Sequence, residues 1–216
     1  MAAQFPSRPR RGDARAALID AAHAVVRRKG WSATSVDDLC AAAGVTKGAF
    51  FHHFASKEAL GVVAVDKWTA RAQHLIFELP DYLKIADPLE RVLGHIDFRL
   101  AMIAGPAEDY SCFVGTMVQE AFATSEPLRA ASDASITAYS ERLAEDFQQA
   151  IDRYGAPLGT TASGLAYHVQ AVLQGAFVLA KAKGDPAYAR DTVIHLKRYV
   201  SMLFDTKQHE HKECLS

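Results

Sequence analysis

The chain has 216 residues with a net charge of −1, half of them apolar and 23% charged. That is the make-up of an ordinary globular protein, one large domain or a small one joined to a larger one. No apolar run approaches the roughly 18 residues that cross a bilayer, and the basic N-terminus has no apolar core behind it to act as a secretory signal.

The three cysteines, Cys40, Cys112 and Cys214, have neither disulfide-framework nor zinc-site spacing and suit a reducing cytosol; Cys40 reads as a small core residue. The near-neutral total hides an asymmetry. Residues 1–60 hold nine Lys/Arg against five Asp/Glu, whereas the remaining 156 hold fifteen against twenty. Positive charge gathered at one end is the footprint of a phosphate-binding module.

In chain order, residues 1–12 form a basic, Pro- and Gly-containing arm, expected to be disordered, whose Arg8, Arg10 and Arg11 suit a phosphate backbone or a minor groove, or simply solubility. Asp13 is placed to cap a first helix with an apolar stripe at Leu18, Ala21, Ala22, Val25 and Val26. Arg27, Arg28 and Lys29 complement its dipole, Gly30 ends it, and Trp31 plugs the core behind.

Ser35-Val36-Asp37-Asp38 is a capping-box-like start for a second helix that buries Val36, Leu39 and Cys40. Gly44 supplies a positive-φ turn, Val45 anchors it, and Thr46 caps a third helix ending near Phe54. Two short helices around a Gly-centred turn, the second basic and aromatic, suit entry into a DNA groove. Ser56 caps a fourth helix expected to run to Pro80 on Leu60, Val63, Lys67 or Trp68, and Leu75.

The chemistry at this end is that of a DNA reader. Hydroxyls at helix starts (Thr34, Ser35, Thr46) are natural phosphate ligands, Lys47 and Lys57 bring charge, and His53 suits a phosphate. Gly48 and Ala49 are small where the helix must approach closely. Phe51 and His52 face outward if Phe50 and Phe54, four apart, face the core.

The stretch GVTKGAFFHHFASKEAL, residues 44–60, preceded by TSVDDLCAAA, resembles the N-terminal DNA-binding domain of the TetR family of tetracycline-repressor-like regulators. Members typically read G-V-(S/T)-(K/R)-G-x-(L/F)-(Y/F)-x-(H/Y)-F-x-(S/N)-K-(E/D)-x-L there. The resemblance runs from about Asp13 to Leu60. One departure is Phe51, where tyrosine is commoner, which removes a hydroxyl that in relatives often bonds a phosphate.

Beyond residue 80 the motif fades and helical stripes continue. Asp87-Pro88 starts a helix through Leu89, Val92, Leu93, Ile96, Leu100 and Ile103 that Gly105-Pro106 stops. Tyr110 to Thr124 reads as helical. Ser125-Glu126-Pro127 opens a long helix that Gly155-Ala156-Pro157 breaks, and two more follow at about 161–183 and 186–204. These last two carry apolar and small residues on more than one side, as a helix pair with a second partner would. The resemblance implies that they pair with those of a second subunit in a four-helix bundle; a helix pair buried inside a monomer is the alternative.

The expected fold is therefore all-α: a three-helix helix-turn-helix domain over 13–58, a helical ligand-binding and dimerisation domain over 59–205, and a flexible tail over 206–216. His209, His211 and Cys214 in that tail invite a metal, but no second cluster completes a site, so neither metal nor cofactor is expected. The resemblance implies a cytoplasmic homodimer that binds a palindromic double-stranded operator and is released by a small-molecule effector. The alternatives are a DNA-binding regulator or architectural protein without a ligand, and an enzyme. For the enzyme, Cys112 with His95 or His168 is the imaginable nucleophile pair, and no elbow or orienting third group supports it.

Polar or amphipathic residues on otherwise apolar stripes are the candidates to line an effector pocket: His95, Arg99, Met102, Tyr110, Cys112, Phe113, Met117, Tyr139, His168, Gln170 and Gln174. Phe98, Phe147 and Phe177 supply aromatic walls.

Overall fold

A computed structural model describes the chain from Ala14 to Asp205; the N-terminal arm, the Asp13 cap and the tail with His209, His211 and Cys214 lie outside the described residues. Among the described residues every regular element is helical, as the stripes predict. The order is α1 (Ala14–Lys29), α2 (Val36–Ala43), α3 (Lys47–His53), α4 (Lys57–Phe77), a 3-10 turn (Asp81–Lys84), α5 (Pro88–Ala101), α6 (Ala107–Tyr110), α7 (Phe113–Ala121), α8 (Glu126–Tyr154), α9 (Ala162–Lys183) and α10 (Ala187–Leu203).

Local chemistry explains most boundaries. Asp87 accepts from the N–H groups of Leu89 and Glu90 with Pro88 in the first turn of α5, and Thr161 caps α9 through the Gly164 N–H. Two boundaries depart from expectation. α4 stops at Phe77, and the segment behind Pro80 folds into the 3-10 turn that buries Tyr82. The expected helix from Tyr110 to Thr124 is instead one turn, α6, followed by α7, because Cys112 takes extended backbone and its Sγ accepts the Gly115 N–H at 3.3 Å. On α4 the buried side is Leu60, Gly61, Ala64, Val65, Ile76 and Phe77, while Val63 and Leu75 are half-buried and Lys67 is exposed.

The chain packs as two compact units. One comprises the residues up to Gln73 together with Pro106–Thr137, the other His74–Gly105 together with the chain from Ala138 on. The core of the first joins Leu18, Val26, Trp31, Leu39, Phe50, Phe54 and Leu60 to Phe113, Met117, Ala121 and Leu128. The helix-turn-helix is thus completed by α7 and the start of α8, more than fifty residues further along. Gly61 lies at that junction: a Cβ there would come within 2.8 Å of the Trp31 ring and 2.9 Å of Leu128. In the second unit, Val92 and Ile96 of α5, Leu143 and Phe147 of α8, Leu173 and Phe177 of α9, and Val193, Leu196 and Val200 of α10 are all buried.

Candidate nucleic-acid interface

The reader is built from caps inward. The Ser35 N–H donates to Asp38 Oδ2 at 2.7 Å while the Asp38 N–H donates to Ser35 Oγ at 3.1 Å, a reciprocal capping box on α2. Lys29 at 2.7 Å, with the Ser35 donors, holds the Asp38 carboxyl well below the usual carboxylate range. At the far end of α2, Gly44 takes φ +66, the left-handed conformation that lets the chain turn. The Val45 N–H then returns to the Cys40 carbonyl at 3.0 Å. Thr46 caps α3 by accepting the Ala49 N–H at 3.1 Å.

Seven residues of α3 divide by face. Phe50 is fully buried and Phe54 beyond the last turn is nearly so, with ring centroids 6.0 Å apart. Lys47, Gly48, Phe51 and His52 are exposed, Phe51 by 52%, and Ala49 and His53 are half-buried. Gly48 leaves room: a Cβ there would meet nothing closer than the Thr46 hydroxyl at 3.8 Å. Lys47 Nζ rests 3.0 Å from the Asp37 carboxylate, both groups well exposed.

Two expected phosphate ligands are turned inward. Thr34 is 1% exposed and its hydroxyl donates to the Gly30 carbonyl at 2.6 Å, so it stabilises the α1–α2 turn and is not presented to a partner. Lys57 Nζ donates to the carbonyls of Trp31 at 2.8 Å and Thr34 at 2.7 Å and sits 4.2 Å from the centre of the Trp31 ring. Partial burial pulls its pKa down, and the protein's own carbonyls use the charge that the sequence reading gave to phosphate. Sequence spacing places both residues next to a phosphate-binding face; only packing shows which way they turn.

The residues expected to line a pocket are not brought together as one set. Tyr110, Cys112, Phe113 and Met117 belong to the first unit, where Phe113 and Met117 are fully buried in the core behind the reader. His168 is exposed on α9, against Tyr199 of α10 at 5.1 Å between centroids, and so lies on a surface. Phe147 and Phe177 are core, and Gln170 and Gln174 are half-buried.

What does converge is a buried hydrogen-bond chain. Arg99 Nη1 donates to the Tyr139 hydroxyl at 2.9 Å, which lies 2.8 Å from His95 Nε2; His95 Nδ1 lies 3.0 Å from the Tyr82 hydroxyl, which donates to the Ile76 carbonyl. The Ile76 carbonyl only accepts, so it takes the single Tyr82 proton and the Tyr82 oxygen accepts from the His95 Nδ1–H. Burial favours the neutral form of His95. Its complete burial, with Arg99 and Arg142 nearby, pushes its pKa well down, and burial pushes the Tyr82 hydroxyl up. The Phe77 ring stacks on His95 at 5.4 Å and 15°, and the half-buried Phe98 ring lies 5.8 Å from Tyr82; Met102 ends α5. Tyr82 and Phe77 escaped the sequence reading because they fall where no stripe is long enough to assign a face.

The comparisons with known proteins divide the chain by sequence. Residues 18–61 match the model of bacterial regulatory proteins of the tetR family, and residues 88–196 match a tetracyclin repressor-like C-terminal domain. The transcriptional regulator AcuR of Cereibacter sphaeroides is 29% identical over 154 residues, 67% of this chain and 70% of its own. The HTH-type transcriptional repressor DhaR of a Mycobacterium species is 28% identical over 112 residues, and the match spans 52% of this chain and 54% of that protein. The solved regulatory protein TetR from Rhodobacter sphaeroides covers 86% of this chain and 97% of its own at 25% identity with a TM-score of 0.73. Reduced NemR of E. coli shares the fold at 22% identity, covering 86% of this chain and 96% of its own with a TM-score of 0.71. With the helix-turn-helix motif and both halves matched, the chain belongs to the TetR family of DNA-binding transcriptional regulators and is not an enzyme.

Proposed function

We propose that the protein is a homodimeric repressor, working in the cytoplasm, that leaves a palindromic operator when a small molecule binds its C-terminal half. In this reading residues 13–58 read DNA and residues 59–205 sense and dimerise. The observation that carries it is the outer side of the last two helices. Tyr167, Val178 and Leu179 on α9 and Tyr188, Tyr199 and Met202 on α10 are each 44–58% exposed, a concentration of apolar surface that a second copy would cover. The name of DhaR, a repressor, favours the negative sign of control.

On DNA, Ser35, Thr46, Lys47 and His53 would hold phosphates, while Gly48, Ala49, Phe51 and His52 would meet the major groove. Two such helices engage successive grooves only when about 34–36 Å apart. A ligand that prefers another spacing releases the dimer by no more than its differential affinity for the two states. The effector would sit against the half-buried Arg99, Met102, Phe98, Gln170 and Gln174, with His95 and Tyr139 behind them.

The test is selection of duplexes by the purified protein from a random pool, followed by thermal shift against a metabolite panel and operator release by each hit. A palindrome bound as a two-fold dimer is expected, with at least one stabilising compound that weakens it. A selected duplex that no stabilising compound releases would leave a DNA-binding regulator without an effector.

A further inference from the structure

The turn between α1 and α2 is held by two opposite charges. The Glu120 carboxylate, at the end of α7, accepts the Ser32 N–H at 2.7 Å. It lies directly over Gly30, whose φ is +90 and where a Cβ would come within 2.5 Å of Glu120 Oε1. Lys57 Nζ donates to the Trp31 and Thr34 carbonyls of the same turn. One residue further on, Ser35 caps α2. Position here is therefore passed straight to the start of the helix pair that meets DNA. Glu120 belongs to the stretch matched by the C-terminal domain model, yet it packs with the reader.

We propose that Glu120 is a positioning residue for DNA binding. Its carboxylate seats the α1–α2 turn, and through Ser35 the N-terminus of α2, against α7. Glycine at position 30 leaves the space the carboxylate occupies, and Lys57 completes the clamp from α4. Movement of α7 then reaches the DNA-reading helices at Ser32 without passing along α4.

Simple electrostatics predicts the opposite sign for removing the charge. A surface carboxylate beside a phosphate-binding face repels DNA, so its loss should tighten binding or change nothing. The seat predicts weaker binding when the acceptor is lost and recovery when an uncharged acceptor replaces it.

The experiment uses the full chain and a duplex selected by the wild-type protein, with Kd measured at several salt concentrations and amide exchange followed at Ser32. Glu120→Ala should bind five- to tenfold more weakly at an unchanged or steeper salt dependence, with the Ser32 amide exchanging at least tenfold faster. Glu120→Gln keeps an oxygen for the Ser32 N–H and should bind at least as tightly as wild type, with Ser32 still protected. Wild-type affinity in Glu120→Ala, or an unprotected Ser32 amide in the wild-type protein, would overturn the proposal. So would a Glu120→Ala chain that no longer folds, since the contact would then serve general stability. Neither result would touch the assignment of the helix-turn-helix itself.

Discussion

The ring of His23 on α1 reaches across to α4, where Nε2–H donates to the Ala64 carbonyl at 2.7 Å. Because a carbonyl only accepts, the proton sits on Nε2, and Nδ1 is a bare nitrogen that is buried without a partner. The edges of Trp68 and Phe113 close around it at 5.3 and 4.9 Å.

Both buried histidines therefore make stability depend on pH. Burial is the first cause that lowers the pKa of His23, and of His95 more strongly. The unfolded chain takes up protons near pH 6.5 that the folded one refuses, so the stability they contribute is present above that pH and is lost as pH falls below it. Denaturant melts between pH 7.5 and 5 should show stability falling. For His95 alone the loss at pH 5 is up to about 2 kcal/mol. His95→Gln should be less stable at pH 7.5 but have a flatter pH profile; an unchanged slope would mean that His95 is charged in the folded protein.

Lys47 and Asp37 give a paired test of the DNA face. In the free protein the ammonium rests on the carboxylate at 3.0 Å, an exposed ion pair of small worth to stability. Lys47→Ala should weaken binding to all duplexes and reduce the salt slope by about one. Asp37→Asn should strengthen binding without selecting among sequences. Equal salt slopes for wild type and Lys47→Ala would remove Lys47 from the phosphate contacts.

Gly48 separates folding from recognition. A methyl there fits within the protein, so Gly48→Ala should melt within about 1 kcal/mol of wild type and yet alter which duplexes are selected. Substitutions of Ala49 and His52 should likewise change the selected half-site. A uniform loss across all duplexes would assign these positions to holding the helix on the backbone.

Gly61→Ala should do the reverse. Its Cβ would press on Trp31, Leu128 and Met117 in the core that α7 completes, costing about 1–3 kcal/mol. A thermal melt indistinguishable from wild type would mean that these side chains have slack to give.

The proposed dimer through the outer side of α9 predicts that Val178→Glu shifts the particle from dimer to monomer in light scattering and abolishes operator binding, while the helical content stays. Val178 is 49% exposed, so the change leaves the core alone. A variant that stays dimeric would place the interface elsewhere.

The sequence alone determined the local frame: where α1 to α3 begin and end, that Phe50 and Phe54 turn inward, and that Phe51 and His52 turn out. These follow from caps, glycine turns and i, i+4 spacing, which act over a few residues. It also carried the family, through a continuous motif on one helix pair and its flanks. Tertiary structure decided what depends on residues distant in the chain. Thr34 and Lys57 read as phosphate ligands because hydroxyl and ammonium suit that task, but the carbonyls they bond belong to Gly30, Trp31 and Thr34 itself, exposed as acceptors only once the turn is folded. Phe113 and Met117 look like pocket residues on a stripe, and become reader core because α7 folds back onto α1 and α4. The chain from Arg99 to Ile76 and the seat of Ser32 on Glu120, 88 residues apart, have no periodic signature, since a hydrogen bond between distant elements leaves no spacing to read.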